Sequence, residues 1–176
     1  MPRVLFVLPA QEFWYPDFEP VRRVLAENGV QVTVAASRES AQPAQGGGGE
    51  PVRRDISLDQ VRAADFNAVI FCGGPGVREF MGENWSGAFA RKLIQEMVGQ
   101  NKHVTALCMG TVVLAKAGIL DGRRATGHSS IEQQVQEFGV ALTGNPIEIS
   151  DRVITARDAN VAEQFARTVA GELRRK

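Results

Sequence analysis

Short runs of apolar residues alternate along the chain with stretches in which apolar residues recur every three or four positions. This alternation is typical of β-α-β units, whose parallel strands are buried on both faces. The pattern predicts strands at 4–8, 30–35, 68–71, 103–107 and 124–127, and a hairpin at 146–155. It predicts helices at 17–28, 86–98, 109–117 and 160–173. The chain is therefore expected to form an α/β fold with a mostly parallel sheet.

The segment 37–50 interrupts this pattern with Pro43 and four consecutive glycines at 46–49. Such a composition favours a mobile surface loop. The same alternation resumes after the loop, so the segment does not divide the chain. Because 176 residues is an ordinary length for one domain, we expect residues 1–176 to form a single domain.

Composition excludes several classes of protein. Twenty basic residues balance twenty acidic ones, whereas a nucleic-acid-binding protein needs a basic surplus on one face. The apolar run at 4–8 is too short for the core of a signal peptide, and no stretch approaches the roughly 18 apolar residues of a membrane span. The two cysteines do not form a disulfide framework of the secreted type. We expect a cytoplasmic protein, with no membrane contact, whose thiols stay reduced.

The segment 106–110, with the sequence ALCMG, places a cysteine between a buried strand and a helix. Small residues stand two positions before and after Cys108, at Ala106 and Gly110, as the sharp turn of a nucleophile elbow requires. Such an elbow presents its nucleophile at the carboxyl edge of the sheet, where ligands bind in open α/β folds. The alternative is a buried structural cysteine, but the spacing favours a nucleophile.

An elbow position has two electrostatic consequences for Cys108. A helix N-terminus favours an anion and lowers thiol pKa values, often to about 3.5–7.5, so we expect a thiolate. The amide N–H of Met109 would point into the same pocket and stabilise an oxyanion. A second oxyanion donor could be the N–H of Gly74, which follows the strand at 68–71, although a plain tight turn explains that glycine equally well. Cys72, beside the turn, is expected to pack in the core.

Histidines and carboxylates near the elbow are the remaining candidates for proton transfer. His128 follows the short strand at 124–127 and should emerge at the carboxyl edge, as a proton shuttle for the thiol or as a structural histidine. His103 begins a strand at the opposite edge and is expected on the surface. Two histidines so far apart do not make a metal site. Glu12, Asp17 and Glu19 lie after the first strand, and each could instead be an acid that complements a helix dipole.

Several segments together resemble the ThiJ/PfpI superfamily, a class I glutamine amidotransferase-like group. They are FCGG at 71–74, the elbow at 106–110, LDGRRATGH at 120–128 and VITAR at 153–157. The resemblance covers nearly the whole chain in order. It implies a flavodoxin-like three-layer sandwich, a homodimer, a small-molecule substrate, and neither a metal nor an organic cofactor.

The resemblance also assigns roles to individual residues. It implies that Cys108 is the nucleophile, that Gly74 and Met109 supply the oxyanion amides, and that His128 is the histidine found after the elbow helix in one branch. A first-helix glutamate hydrogen-bonds the thiol in many members, and counting back from the end of the first helix places Asp17 there. Asp17 has a shorter side chain than glutamate, and Glu12 remains the alternative acid.

Two departures from superfamily patterns restrict the expected activity. Met109 stands where the protease-like branch has a histidine, which argues against an intracellular peptidase. No His-x-Glu pair follows near the C-terminus, which argues against a glutamine amidotransferase.

We expect a cysteine-dependent enzyme that acts on small reactive carbonyls in the manner of a glyoxalase or deglycase, on free aldehydes or on glycated protein or nucleotide. A related hydrolase such as an isonitrile hydratase would use the same elbow. The alternative from a different class is a redox-sensing stress protein or chaperone with an oxidisable Cys108.

Overall fold

The structure, a computed structural model, describes residues 1–175. The strands in this part of the chain are β1 Arg3–Val7, β2 Gln31–Ala36, β3 Ser40–Ala41, β4 Val52–Arg53, β5 Ile56–Ser57, β6 Ala68–Phe71, β7 His103–Leu107, β8 Ile147–Ser150 and β9 Val153–Ala156. The helices are α1 Tyr15–Glu27, α2 Trp85–Gly99, α3 Thr111–Lys116, α4 Glu132–Gln136 and α5 Ala162–Arg174. No helix of this part of the chain combines the length and the apolar character needed to cross a bilayer.

Seven strands form one sheet in the order β5-β2-β1-β6-β7-β9-β8. Neighbouring strands pair in parallel except for β8, which runs antiparallel to β9 as the first strand of the predicted hairpin. The central strands β1, β6 and β7 are almost entirely buried, in keeping with their continuous apolar sequences. The predicted mostly parallel α/β fold is confirmed, and the carboxyl ends of β1, β6 and β7 meet at one edge.

Helices cover both faces of this sheet and form the predicted three-layer sandwich. On one face α1 and α5 pack on each other and on the sheet around Phe6, Phe18 and Phe165. On the other face α2, α3 and α4 close a second core that includes Leu5 and Ile94. The apolar stripes of the helices therefore meet strands that are apolar on both sides.

Two predicted elements differ from the structure. Helix α1 begins at Tyr15, two residues earlier than predicted, because Pro16 lies in its first turn, where a missing N–H costs nothing. Residues 124–127 form no strand, and a single bridge joins Ala125 to Leu142 instead. This short segment nevertheless runs beside the elbow, since the N–H of His128 donates to the carbonyl of Cys108 at 3.1 Å.

The glycine-rich segment 37–50 is packed rather than detached from the fold. It contributes β3, which pairs with β4 in a small antiparallel sheet. Its glycines lie against the rings at the start of α1: a Cβ at Gly47 would lie 3.0 Å from the indole of Trp14, and a Cβ at Gly49 would overlap the ring of Tyr15. The lack of side chains thus lets the loop approach two aromatic rings closely, which the composition alone does not reveal.

Candidate active site

Cys108 occupies a sharp turn between β7 and α3. Its backbone has a φ of 60°, in the left-handed region that residues other than glycine seldom adopt, and a single 3-10 turn at Cys108–Gly110 leads into the helix. A Cβ at Gly110 would overlap the carbonyl oxygen of Phe71 on the neighbouring strand. The structure therefore has the strand–turn–helix geometry of a nucleophile elbow, and the small residue at Gly110 is required by the close approach of β6.

Replacing Gly110 with alanine is expected to lower the free energy of unfolding by about 3 kcal/mol, because the new methyl group must displace the backbone of β6. Gly171, in the interior of α5, is the matched control, because a Cβ there meets nothing within 4 Å. Gly171→Ala should stabilise the protein by up to about 1 kcal/mol through helix propensity alone. Urea unfolding of both variants measures the difference, and equal stabilities for the two would contradict the crowding at the elbow.

Asp17, in the first turn of α1, is the acidic residue at the thiol. Its side chain is fully buried and Cys108 is 6% exposed. A Cβ placed on Gly73 would overlap the Asp17 Oδ2 atom and lie 2.7 Å from the Cys108 Cβ atom, so both side chains border the same glycine. Among residues 1–175, neither Asp17 oxygen has a partner in conventional hydrogen-bond geometry, and the thiol of Cys108 is the polar group near enough to lower its pKa.

Burial dominates the proton equilibria of this pair. It raises the pKa of Asp17 to about 7, against the opposing effect of the nearby Cys108 thiol. Burial and then the charge of Asp17 also raise the pKa of the Cys108 thiol above its ordinary value, although the N–H of Met109 acts in the opposite direction. The expected lowering of the thiol pKa by the helix N-terminus is therefore wrong, because α3 has only six residues and desolvation outweighs its dipole. At rest the sulfur holds its proton, and attack requires a base.

The other two candidate acids lie away from the thiol. Glu12 forms an ion pair with Arg78 at the surface, and Glu19 pairs with Arg23 along the exposed side of α1. The structure thus places Asp17 beside Cys108, at the position that the superfamily resemblance implied.

The glycine turn after β6 lies next to the elbow. The N–H of Trp14 donates to the carbonyl of Gly73 at 3.0 Å, which ties the turn to the start of α1. Gly74 has a φ of 108°, and a Cβ there would lie 2.7 Å from the Trp14 nitrogen, so the position demands glycine. The N–H of Met109 is directed at the sulfur of Cys108. The use of Gly74 and Met109 as a pair of oxyanion donors stays a prediction.

His128 is joined to Cys108 through its backbone, while its ring is held by Ser130. The Nδ1 atom of His128 accepts from the N–H of Ser130 at 3.1 Å and lies 2.7 Å from the Ser130 Oγ atom. Because a backbone N–H can only donate, Nδ1 carries no proton in the neutral ring, and the proton is assigned to Nε2. The ring is therefore set up to donate a hydrogen bond through Nε2. No sequence signal indicates this contact, because the group that Ser130 donates to Nδ1 is its backbone N–H, which every residue except proline carries.

His103 was expected on the surface, and this prediction is wrong. Its side chain is buried at the amino end of β7, where burial and the charge of Arg152 lower its pKa. It borders a cavity of about 590 Å³ lined also by Arg123 and Glu172. This cavity is at the opposite edge of the sheet from Cys108, so it is separate from the thiol chemistry.

Comparison with known proteins places these features in a family context. Residues 2–172 match the DJ-1/PfpI family. The chain is 29% identical over 162 residues to a glutathione-independent glyoxalase of Caenorhabditis elegans. This alignment covers 92% of this chain and 83% of that protein. It is 27% identical over 167 residues to YraA of Bacillus subtilis, named a putative cysteine protease, covering 95% and 96% of the two chains. The fold matches a ThiJ/PfpI domain protein from Brachyspira murdochii with a TM-score of 0.87 at 24% identity, covering 97% of this chain and 95% of that one.

Proposed function

Because the chain belongs to the DJ-1/PfpI family, we propose that it is a cysteine-dependent enzyme that converts small α-oxoaldehydes such as methylglyoxal into hydroxy acids. The observation that carries the proposal is the buried Asp17 carboxyl beside the Cys108 thiol at a strand-to-helix elbow. A relative named glutathione-independent glyoxalase supports the same substrate class. The chemistry needs neither a metal nor an organic cofactor, and the proposal includes a homodimer in the cytoplasm.

In the first step, the sulfur of Cys108 attacks the aldehyde carbon of the substrate. The thiol proton passes to the Asp17 carboxylate, and from there to the former aldehyde oxygen, which leaves a hemithioacetal on the enzyme. A carboxyl with a pKa of about 7 is suited to this exchange, because it both accepts and returns a proton near neutral pH. The N–H groups of Met109 and Gly74 would stabilise the transient oxyanion.

In the second step, the hydrogen of the attacked carbon leaves as a proton to Asp17, and a proton is returned to the adjacent carbon. The hydroxyl proton of the hemithioacetal passes to the oxygen on the second carbon, so that the first oxygen becomes the thioester carbonyl and the second becomes a hydroxyl. The first carbon is oxidised and the second is reduced, so the rearrangement needs no external oxidant and gives a thioester of the hydroxy acid. The Nε2–H of His128 would donate to the oxygen on the second carbon, where negative charge develops. Water then cleaves the thioester, releasing the hydroxy acid and the Cys108 thiol.

Peptidase activity has less support from the site. The base at Cys108 is a buried carboxyl rather than a histidine, and the residue after the cysteine is Met109. A sensor that relies on a permanently exposed thiolate also has less support, because this thiol is buried and holds its proton until Asp17 accepts it. Both observations favour a small substrate that reaches the sulfur and is attacked as the proton moves to Asp17.

The proposal is tested by incubating the purified, chelator-treated protein with methylglyoxal in deuterated water and assaying lactate. We expect catalytic turnover and deuterium on the carbon that carries the lactate hydroxyl, because the migrating hydrogen exchanges with solvent while it is a proton. Lactate formation no faster than in the protein-free reaction would overturn the proposed activity. Lactate without solvent deuterium would overturn the proton-transfer step.

Substitutions at His128 separate a hydrogen-bond donor from a proton shuttle. Glutamine retains an N–H near the position of Nε2 but cannot exchange protons, so His128→Gln should keep about a tenth or more of kcat/KM if the ring acts as a donor. His128→Ala should lose about 100-fold, because both the donor and the Ser130 contact disappear. Steady-state kinetics with methylglyoxal gives the comparison, and equal losses in both variants would show that proton exchange by the imidazole is needed.

A further inference from the structure

A second thiol lies at the edge of the sheet where Cys108 is found. Strands β6 and β7 are parallel neighbours with Phe71 opposite Ala106, and each is followed closely by a cysteine. The Cys72 side chain is buried in the core layer that α1 covers, and its Sγ atom lies 3.8 Å from the carbonyl oxygen of Trp14, just before α1. The proposed carbonyl chemistry uses Cys108 and makes no use of Cys72.

The carboxyl of Asp17 acts electrostatically on both sulfurs. Its charge is the second largest cause, after burial, that raises the pKa of each thiol, Cys72 and Cys108. Both carboxyl oxygens are fully buried and lack a conventional hydrogen-bond partner within the described chain. An unpartnered buried carboxyl is costly unless a neighbouring group exchanges a proton with it. Here the neighbouring groups are two thiols.

The ends of β6 and β7 bring the two cysteines close together. Continuing the observed register by one residue places Cys72 opposite Leu107, the residue before Cys108. A Cβ placed on Gly73, the residue after Cys72, would lie 2.7 Å from the Cys108 Cβ atom, so the chain at Cys72 directly borders the elbow. Two cysteines on such neighbouring segments can form a disulfide when their Cα atoms are about 4.4–6.8 Å apart.

From this arrangement we propose that Cys72 is a resolving thiol, which forms an intrachain disulfide with Cys108 after a hydroperoxide has oxidised Cys108. This redox activity goes beyond the carbonyl chemistry and does not depend on it. Cys108 reacts first, because it retains a small exposed fraction of 6% while Cys72 is 2% exposed. The disulfide protects Cys108 from irreversible oxidation, and a small thiol or dithiol reductant restores the pair.

Atoms and electrons balance in both steps when a hydroperoxide is the oxidant. Asp17 accepts the Cys108 proton, the sulfur attacks a peroxide oxygen, the O–O bond breaks, and the proton leaves with the departing oxygen, which gives a sulfenic acid. The Cys72 proton then passes to Asp17 as the Cys72 sulfur attacks the Cys108 sulfur. The S–S bond forms, the S–O bond breaks, and hydroxide takes the proton from Asp17 and departs as water. Two thiols are oxidised by two electrons, and one peroxide is reduced.

The test compares the wild-type protein with Cys72→Ala and Cys72→Ser after treatment with one equivalent of hydrogen peroxide. Each sample is denatured in an alkylating reagent, and intact and digested masses are recorded. We expect the wild-type chain to lose two hydrogens, to resist alkylation at both cysteines, and to give a peptide pair linked through Cys72 and Cys108. In both variants Cys108 should be trapped as a sulfenic acid by dimedone and should accumulate sulfinic acid at least about tenfold faster than in the wild type.

Two results would overturn the proposal. One is that Cys108 of the wild-type protein forms sulfinic acid as fast as it does in the variants, while Cys72 is fully alkylated and has therefore remained a free thiol. The other is a disulfide that links two chains instead of two positions of one chain. The linked peptide is sought in the wild-type protein, so the proposal is decided even if a variant folds poorly. No carbonyl substrate enters the experiment, and its outcome is therefore independent of the methylglyoxal assay.

Discussion

Replacing Cys108 with alanine is expected to lower kcat/KM for methylglyoxal by about 1,000-fold or more, because the atom that bonds to the substrate is removed. Cys108→Ser should also lose most of the activity, even though serine keeps a polar atom at the same place. A serine hydroxyl holds its proton far more tightly than a thiol, and a carboxyl with a pKa of about 7 is a weak base for it. Initial rates of lactate formation measure both losses.

The fold provides the control for these two variants. Alanine and serine carry a Cβ as cysteine does, so the strain at a φ of 60° is the same in all three proteins. Their free energies of unfolding should therefore agree within about 1 kcal/mol. If Cys108→Ala keeps more than about a tenth of the wild-type rate while remaining folded, Cys108 is not the nucleophile.

The parts of the site that rest on local sequence were predictable. The runs Val4–Leu8 and Ala68–Phe71 are apolar without interruption, which is the requirement for a parallel strand covered on both faces. The elbow could be located because this sharp turn requires small residues beside the nucleophile wherever it occurs. At Gly110 the requirement comes from the neighbouring strand, whose Phe71 carbonyl oxygen a Cβ would overlap.

The protonation states of the site could not be predicted, because they depend on contacts between distant segments. The pKa of Cys108 is set by burial and by Asp17, which is 91 residues earlier in the chain, and not by the adjacent helix that suggested a thiolate. The resemblance placed Asp17 at the thiol, but excluding Glu12 depended on its ion pair with the distant Arg78 at the surface. The packing of the segment 37–50 depends likewise on a distant contact, since its glycines lie against rings that precede it by more than 20 positions.

Replacing Asp17 with asparagine should lower kcat/KM by about 100-fold or more, because the amide cannot accept the thiol proton. In the wild type, Asp17 and Cys108 share one proton in the reactive state, so kcat/KM should rise with pH and level off above about pH 7. In Asp17→Asn this inflection should disappear. The matched control is Glu19→Gln, two residues along the same helix and at the surface, which should retain the wild-type profile. A wild-type inflection that persists in Asp17→Asn would assign it to another group.

The same substitution should stabilise the protein at neutral and alkaline pH. The pKa of Asp17 rises from 3.8 to about 7 on folding, through burial foremost and with a smaller contribution from the charge of Asp158. Between these values the folded state binds more protons than the unfolded state, so the stability of the wild type falls as pH rises from about 4 to about 7 and is constant beyond. Asparagine does not ionise, so its burial causes no such loss of stability. In urea unfolding, the free energy of unfolding of Asp17→Asn should therefore exceed that of the wild type only slightly near pH 4. The difference should approach roughly 4 kcal/mol near pH 8. A difference that does not change with pH would mean that folding leaves the pKa of Asp17 near 3.8, and a carboxylate of that pKa is too weak a base for the proposed activation of Cys108.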